Sequence, residues 1–502
     1  MNNQRGIILI AAYLVVVILL ILGSAFITGS ISENRIADRE KDSILAFYMA
    51  EAGIESALYD LKQDFGNGDA DPWRDGDING NTVGPSDVNF YSLYGGEISL
   101  GDGSYDVELK NVAGKDNEIW LRSTGNYGSI TNKTIHVYVK MVNYSPWNTA
   151  IFAGTGSSGT TINGNVDIRG SVHILGTGLT SADSAINMSG NANVGNNYQG
   201  IPTALDDRVP DIPTVIFNGE TVQSLDAEVH IKNGLAGLNG DAKIGDTDNS
   251  DNPYKETVDG VYITDGYTGN KGAANVYSDN GTANTYDLGD AVSFPSLSDP
   301  YQSYATYQEY LRDNALVISD PAQLDELDDL TPSSSFSYSD GTGNTISMDG
   351  EGNLVIAGIV YIEGGDLEME ADGSQKTITY TGTGVIVVAG DGDSSDGEAE
   401  IDINLLTSGV DSFPNNVLGI MTPGDIEFDG ANIDVMGVFY AEGEIEVKKQ
   451  TNIAGTMVSN YFDIGSQVPS IYQVPSLFDN LPSGMIASDP VWIMRVVSWQ
   501  EI

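Results

Sequence analysis

The chain has no cysteine, which excludes disulfides and thiolate metal sites and leaves the redox compartment unreadable from thiols. Basic residues are scarce: 22 Lys and Arg stand against 71 Asp and Glu, a formal charge of −49. That balance disfavours binding to nucleic acid or to anionic lipid headgroups by electrostatics. It reads either as solubility in salty water or as cation binding. Histidine occurs three times, as His136, His173 and His230, each among apolar or β-branched neighbours in strand-like sequence. Such a setting suits packing or surface strand residues better than ligands. No nucleophile elbow, P-loop or HExxH motif is present, and Gly-rich stretches such as AGTGSSGT lack the Lys and the strand-to-helix context of a phosphate site.

What the chain does have is one long apolar run at its start. A short leader, MNNQRG, precedes the uncharged segment from Ile7 to Ser32. Ile7 to Ile27 is long enough to cross the roughly 30 Å hydrocarbon core as a helix. A secretory signal would have a shorter apolar part and a small-residue cleavage site, which Gly23, Ser24 and Ala25 imitate only weakly. An ordinary single-pass anchor is the other plain reading. The polar sequence that follows, ISENRIADREKDSILAFYMAEAGIESALYDLKQDF, has no Pro and only Gly53, so no helix stop precedes Gly66. Phe47, Ala50, Ile54, Leu58, Leu61 and Phe65 recur at spacings of three and four and make one apolar face. One helix from about Ile7 to Phe65 is expected, apolar all round in its first half and amphipathic in its second.

The RG before the apolar run, together with ENRIADREKDSILAFYMAEAGIESAL after it, resembles the N-terminal region of PilX-type minor pilins and, more distantly, the pilin-like subunits of type II secretion. The likeness covers about the first seventy residues. It implies that a prepilin peptidase cuts after Gly6 and leaves Ile7 as the mature N-terminus. Arg5 and the leader would stay in the cytoplasm, in keeping with the positive-inside tendency. Most major pilins carry Glu at the fifth mature position, where this chain has Ala11. The resemblance therefore implies a minor, priming or tip subunit rather than a bulk filament subunit.

The remaining sequence divides by texture. After the helix of 7–65, GEISLGDGSYDVELKNV and EIWLRSTGNYGSITNKTIHVYVKMV alternate apolar with polar residues, and are expected to form an antiparallel pilin-type head over 66–145. From Trp147 the chain turns to Gly-punctuated short strands, a solenoid-like start over 146–200. Residues 201–350, rich in Asn, Asp, Gly, Ser and Tyr, read as a polar insertion or side domain. In 351–502, GIMTPGDIEFDG at Gly419, GVFYAEGEIEVKK at Gly437 and GTMVSNYFDIG at Gly455 start eighteen residues apart, and GIVYIEGGDLEME at Gly358 fits the same frame. That period fits stacked rungs of a parallel β-solenoid, with an antiparallel meander as the competing reading. The terminal run VPSLFDNLPSGMIASDPVWIMRVVSWQEI is expected to end in a strand covering the solenoid, or in a partner-docking segment. The fold class is thus α+β: a transmembrane pilin-like helix and antiparallel sheet, then a large β-rich domain.

Candidate chemistry is sparse. In DGDINGN, Asp75, Asp77 and Asn79 alternate before Gly80 and present oxygens as a calcium loop does, with Asp87 near the place of the missing bidentate Glu. A calcium site and a solvated acidic turn are the two readings. Acidic triplets such as Asp366, Glu368 and Glu370, or Asp425, Glu427 and Asp429, could serve glycoside hydrolysis, but their regular repetition is that of a solvent-facing strand and argues against a unique catalytic pair. The expectation is a non-enzymatic minor pilin-like subunit, anchored in the inner membrane by one helix, its bulk outside the cytoplasm. Its partners would be other pilin-like subunits, prepilin peptidase and membrane lipid. The rival is a static, membrane-tethered β-solenoid that binds polysaccharide or a protein.

Overall fold

The computed structural model describes residues 4–66, 89–113, 115–128, 131–155, 166–249, 252–390, 397–465, 469–485 and 491–502. They fall into two units, one formed by Met1–Asn143 with Trp492–Ile502 and the other by Tyr144–Val491.

The first unit is built on helix α1, Gln4–Gly66, which runs unbroken through the two halves that the sequence distinguishes. Its second half lies on an antiparallel sheet whose long strands are Gly103–Val112, Lys115–Tyr127 and Thr131–Asn143. Period-two alternation puts Val107 and Leu109, Ile119 and Leu121, and Ile135, Val137, Val139 and Met141 into one core. The helix meets them with small residues. Ala46, Ala50, Ala57, Ile54 and Leu61 are buried, whereas Phe47 and Leu58 are only partly so. The expected stripe is therefore rotated toward the AEAG side. A Cβ on Gly125 would lie 2.1 Å from the Ala46 carbonyl oxygen, so helix and sheet approach at backbone distance.

The terminal strand Trp492–Glu501, expected from sequence to cover the solenoid or to dock a partner, belongs to the first unit. It pairs antiparallel with Thr131–Asn143 and becomes the outer strand of the head. Met494 packs on the head core, and Trp499 meets Phe47 edge-on at 5.6 Å. Tyr144–Val491 is thus inserted between two neighbouring strands of the head.

In the inserted unit, strands pair in parallel in three long ladders, whereas Ser335–Ser339, Thr345–Asp349 and the first part of Asn353–Ile362 pair antiparallel. The first ladder runs from Leu316–Ile318 through Asn353–Ile362, Thr383–Val388, Val417–Thr422, Ile433–Val447 and Thr451–Ile464. It then continues onto the unit's own beginning: Ile151–Ala153, Val172–Ile174, Glu228–Ile231 and Gly260–Ile263. The chain therefore enters in the middle of the ladder and winds to one end. It crosses to the other end through 264–315 and winds back to meet its start.

A second ladder joins Leu367–Met369, Glu398–Ile401, Asp425–Phe428 and the later parts of the two longest strands. A third joins Thr377–Thr381, Asn404–Thr407, Ser470–Tyr472, Asp167–Arg169 and Asn193–Gly195 through the earlier parts of those strands. In the first ladder one row is apolar and buried from Val360 through Ile386, Ile420, Phe439, Met457 and Ile151 to Val172. Both faces of its strands are covered, so they read as continuous apolar runs.

The expected side domain over 201–350 is not a separate body. Glu228–Ile231, Gly260–Ile263 and Leu316–Ile318 are ladder strands, and the crossing segment packs along the first ladder. Within it, Phe294 stacks on Phe152 and Tyr440, and the Gln308 amide donates to the Tyr361 hydroxyl.

Candidate functional site

Two features stand out: the free half of α1 and an acidic face on the second ladder. Arg5, Gly6 and Ile7 belong to the first turns of α1. From Ile8 to Ile31 the large apolar side chains stand exposed on all sides of the helix, and Ala11 is exposed among them. The Ser24 and Thr28 hydroxyls donate back to the carbonyls of Ile21 and Ser24, each at 2.8 Å, so these groups are satisfied without water. The helix is long and apolar enough to cross a membrane, and its apolar part is wholly unburied within the structure. Asp75, Asp77, Asn79 and Asp87, the candidate calcium ligands, lie outside the described residues.

The acidic face follows from strand register. Leu367, Ala399, Ile426, Ile445 and Phe462 stack in one buried row of the second ladder. Alternation sends the next residue of each strand to the opposite face, where Glu368, Glu400, Glu427, Glu446 and Asp463 form a continuous column. Neighbouring strands lie about 4.8 Å apart, so like charges stand directly opposite one another, an arrangement that costs stability.

The strain shows in the carboxyl groups. Burial, a hydrogen bond with Glu370 and the charges of Glu370, Glu400 and Asp328 push Glu368 up to about 7. Burial and neighbouring carboxylates also raise Glu398, Glu400, Asp402 and Glu444. Two lysines relieve the crowding at one end: Lys448 reaches both Glu427 and Glu446 at 2.9 Å, and Lys449 reaches Asp429 at 3.1 Å.

Glu400, Asp402 and Asp429 each offer an oxygen within 4.8 Å of the others, a donor set of the kind that hard cations take. Of the three, only Asp429 stands out in the acidic triplets read from sequence. The alternation in EAEID at 398–402 carries the signal for the other two. Glu442, earlier in the same strand as Glu446, falls in the register shift between Ala441 and Glu444 and bonds to the crossing segment. There it accepts from the Ser296 hydroxyl at 2.6 Å and the Leu297 amide at 2.5 Å.

Of the histidines, His136 sits in the head beside the Phe90 ring, whereas His173 and His230 are buried register partners in the first ladder.

Residues 5–55 match the family described as PilX N-terminal. The fold is similar to that of the competence-associated pilin ComZ from Thermus thermophilus. That crystal structure matches with a TM-score of 0.54 and 21% sequence identity, over 92% of this chain and 97% of that one. No curated protein matches the chain. The N-terminal region is thus of PilX type, as its residues suggest, and the fold is pilin-like.

Proposed function

We propose that the chain is a minor pilin-like subunit, placed at the tip or in the initiation complex of a type IV pilus or pseudopilus, and that it displays a large β-solenoid. The observation that carries this reading is the joining of a PilX-type helix to a head into which a far larger unit is inserted. Prepilin peptidase would cut after Gly6. The exposed apolar half of α1 would then hold the subunit in the inner membrane, with the head and inserted unit outside the cytoplasm, until extraction into the core of the filament. Ala11 supports a place with nothing stacked above it, since it lacks the charge that otherwise pairs with a neighbouring N-terminus. So does bulk, because a unit of this size would crowd every repeat of a thin filament.

The solenoid reading rests on three parallel ladders that return to the same strands at each turn. Its role would be structural or adhesive. Repeated acidic columns do not supply the isolated acid and nucleophile of a hydrolase. Calcium at Asp75, Asp77, Asn79 and Asp87 is a further proposal. A fall in melting temperature on chelation supports it, and no fall removes it as a structural site.

The second reading, a static surface protein that binds polysaccharide or a protein partner, is favoured by the same exposed helix if no processing occurs. Exchanging Gly6 for a bulky residue separates the two. A processed subunit would gain the mass of its leader, whereas a plain anchor would change only by the substitution.

A further inference from the structure

Between Gly260–Ile263 and Leu316–Ile318 the chain crosses the outside of the first ladder, and the stretch 284–297 lies on a row of large side chains. In register order that row includes Tyr440, Val458, Phe152, His173, His230 and Tyr262. His173 and His230 are each only 2% exposed. Their rings lie 5.3 Å apart, and His230 stacks on Tyr262 at 4.7 Å. The crossing stretch reaches them with Tyr286, whose hydroxyl is 2.9 Å from Nε2 of His173. Phe294 then stacks on Phe152 and Tyr440.

We propose that 284–297 is a strap latched onto the first ladder by the neutral His173 and Tyr286 pair, and that protonation of His173 releases it and uncovers the aromatic row.

The charges around the latch set the direction. Nε2 of His230 lies 3.0 Å from Glu228, which also accepts from the Tyr144 hydroxyl at 3.0 Å. Nδ1 of His230 is buried without a hydrogen-bond partner, 4.0 Å from Asp287 of the strap. Lys232, at the end of the same strand, pairs with Asp290 of the strap. The carboxylates Glu228 and Asp287 therefore face His230, while His173 has an aromatic ring on one side and His230 on the other. Burial first, then the charges of His230 and Lys232, hold His173 well below its ordinary value. Among the described residues, the carboxylates of this layer lie against His230 and Lys232 rather than His173.

With the strap open, His173 regains water and an ordinary value of about 6.5. Opening therefore takes up a proton below that pH, and the opening equilibrium rises toward about tenfold per pH unit as pH falls, until the closed form itself protonates. Above about pH 6.5 the latch is indifferent to pH.

Because the chain has no cysteine, one introduced thiol reports the strap directly. In the full-length protein, Val292→Cys places it at a buried strap position and Ser293→Cys at the exposed neighbour. The rate of labelling by a dipyridyl disulfide in the Val292→Cys variant, divided by that in the Ser293→Cys variant, is read from pH 8 to pH 5. The expected ratio is flat down to about pH 6.5 and then climbs by up to about tenfold per unit. The climb disappears when His173→Phe or His173→Asn is added, each variant being checked for a cooperative melt at pH 8. A ratio flat over the whole range overturns the proposal. So does a climb that survives both substitutions, or one that His230→Phe alone removes.

Discussion

Asn143 and Trp492 are direct partners in the antiparallel ladder of the head, although all of Tyr144–Val491 lies between them in sequence. The head thus closes at the very point where the insertion leaves it. A tight turn should replace the insertion. Joining Asn143 to Trp492 through Asn-Gly, in a soluble form that starts at residue 33, is expected to give a head that melts cooperatively. Removing 492–502 instead should leave the head without its outer strand and sensitive to protease. A non-cooperative melt of the joined head would show that it depends on the insertion.

Helix and sheet of the head meet through glycine at backbone distance. A Cβ on Gly125 would stand 2.1 Å from the Ala46 oxygen and 2.2 Å from the Ala50 nitrogen, neither of which can rotate away. Gly125→Ala is expected to cost about 2–3 kcal/mol in a urea melt. At Gly53 the nearest obstacle, at 2.3 Å, is the Ser123 hydroxyl, a side-chain atom. Gly53→Ala also gains about 1 kcal/mol of helix propensity. It should therefore be clearly milder, and an equal loss at both sites would contradict the close approach at Gly125.

These particulars show how much could be read in advance. The apolar half of α1 is written in local composition, and the helix follows, but the face it turns to the sheet is shifted from Phe47 and Leu58 toward Ala46, Ala50 and Ala57. The eighteen-residue repeat is visible where turns are short: Gly437 and Gly455 are register partners. Where longer loops intervene, as between Thr383–Val388 and Val417–Thr422, the same ladder leaves no period in the sequence. Strands at 228–231, 260–263 and 316–318 were hidden for that reason inside a polar stretch. The destination of the terminal strand was illegible because pairing depends on a partner far away in sequence. The acidic column was visible as alternation within strands, but its alignment across strands needed the register.

In that column, Glu368 is pushed up to about 7. A carboxyl raised in the fold is penalised when ionised, so the penalty is fully present above about pH 7 and is relieved as pH falls toward its unfolded value near 4.3. Glu368→Gln should therefore raise the melting temperature at pH 8, by an amount corresponding to about 0.5 kcal/mol. The gain should fade by pH 4.5. An equal gain at both pH values would show that charge crowding is not its cause.

Lys255 is buried, with its ammonium 2.7 Å from both Asp259 and Asp279. Replacing it by Met strands two carboxylates together and should cost about 3 kcal/mol in chemical denaturation. Adding Asp279→Asn should recover part of that loss. No loss on Lys255→Met would contradict a structural role for the ion pair.

The most direct test of the pilin reading is the mass of the N-terminal peptide of the protein isolated from its native membrane or filament. A subunit of this type should begin at Ile7, the residue after the expected cut at Gly6. A chain beginning at Met1, or cut after Ala25, would contradict prepilin processing and leave a tethered or secreted β protein in its place.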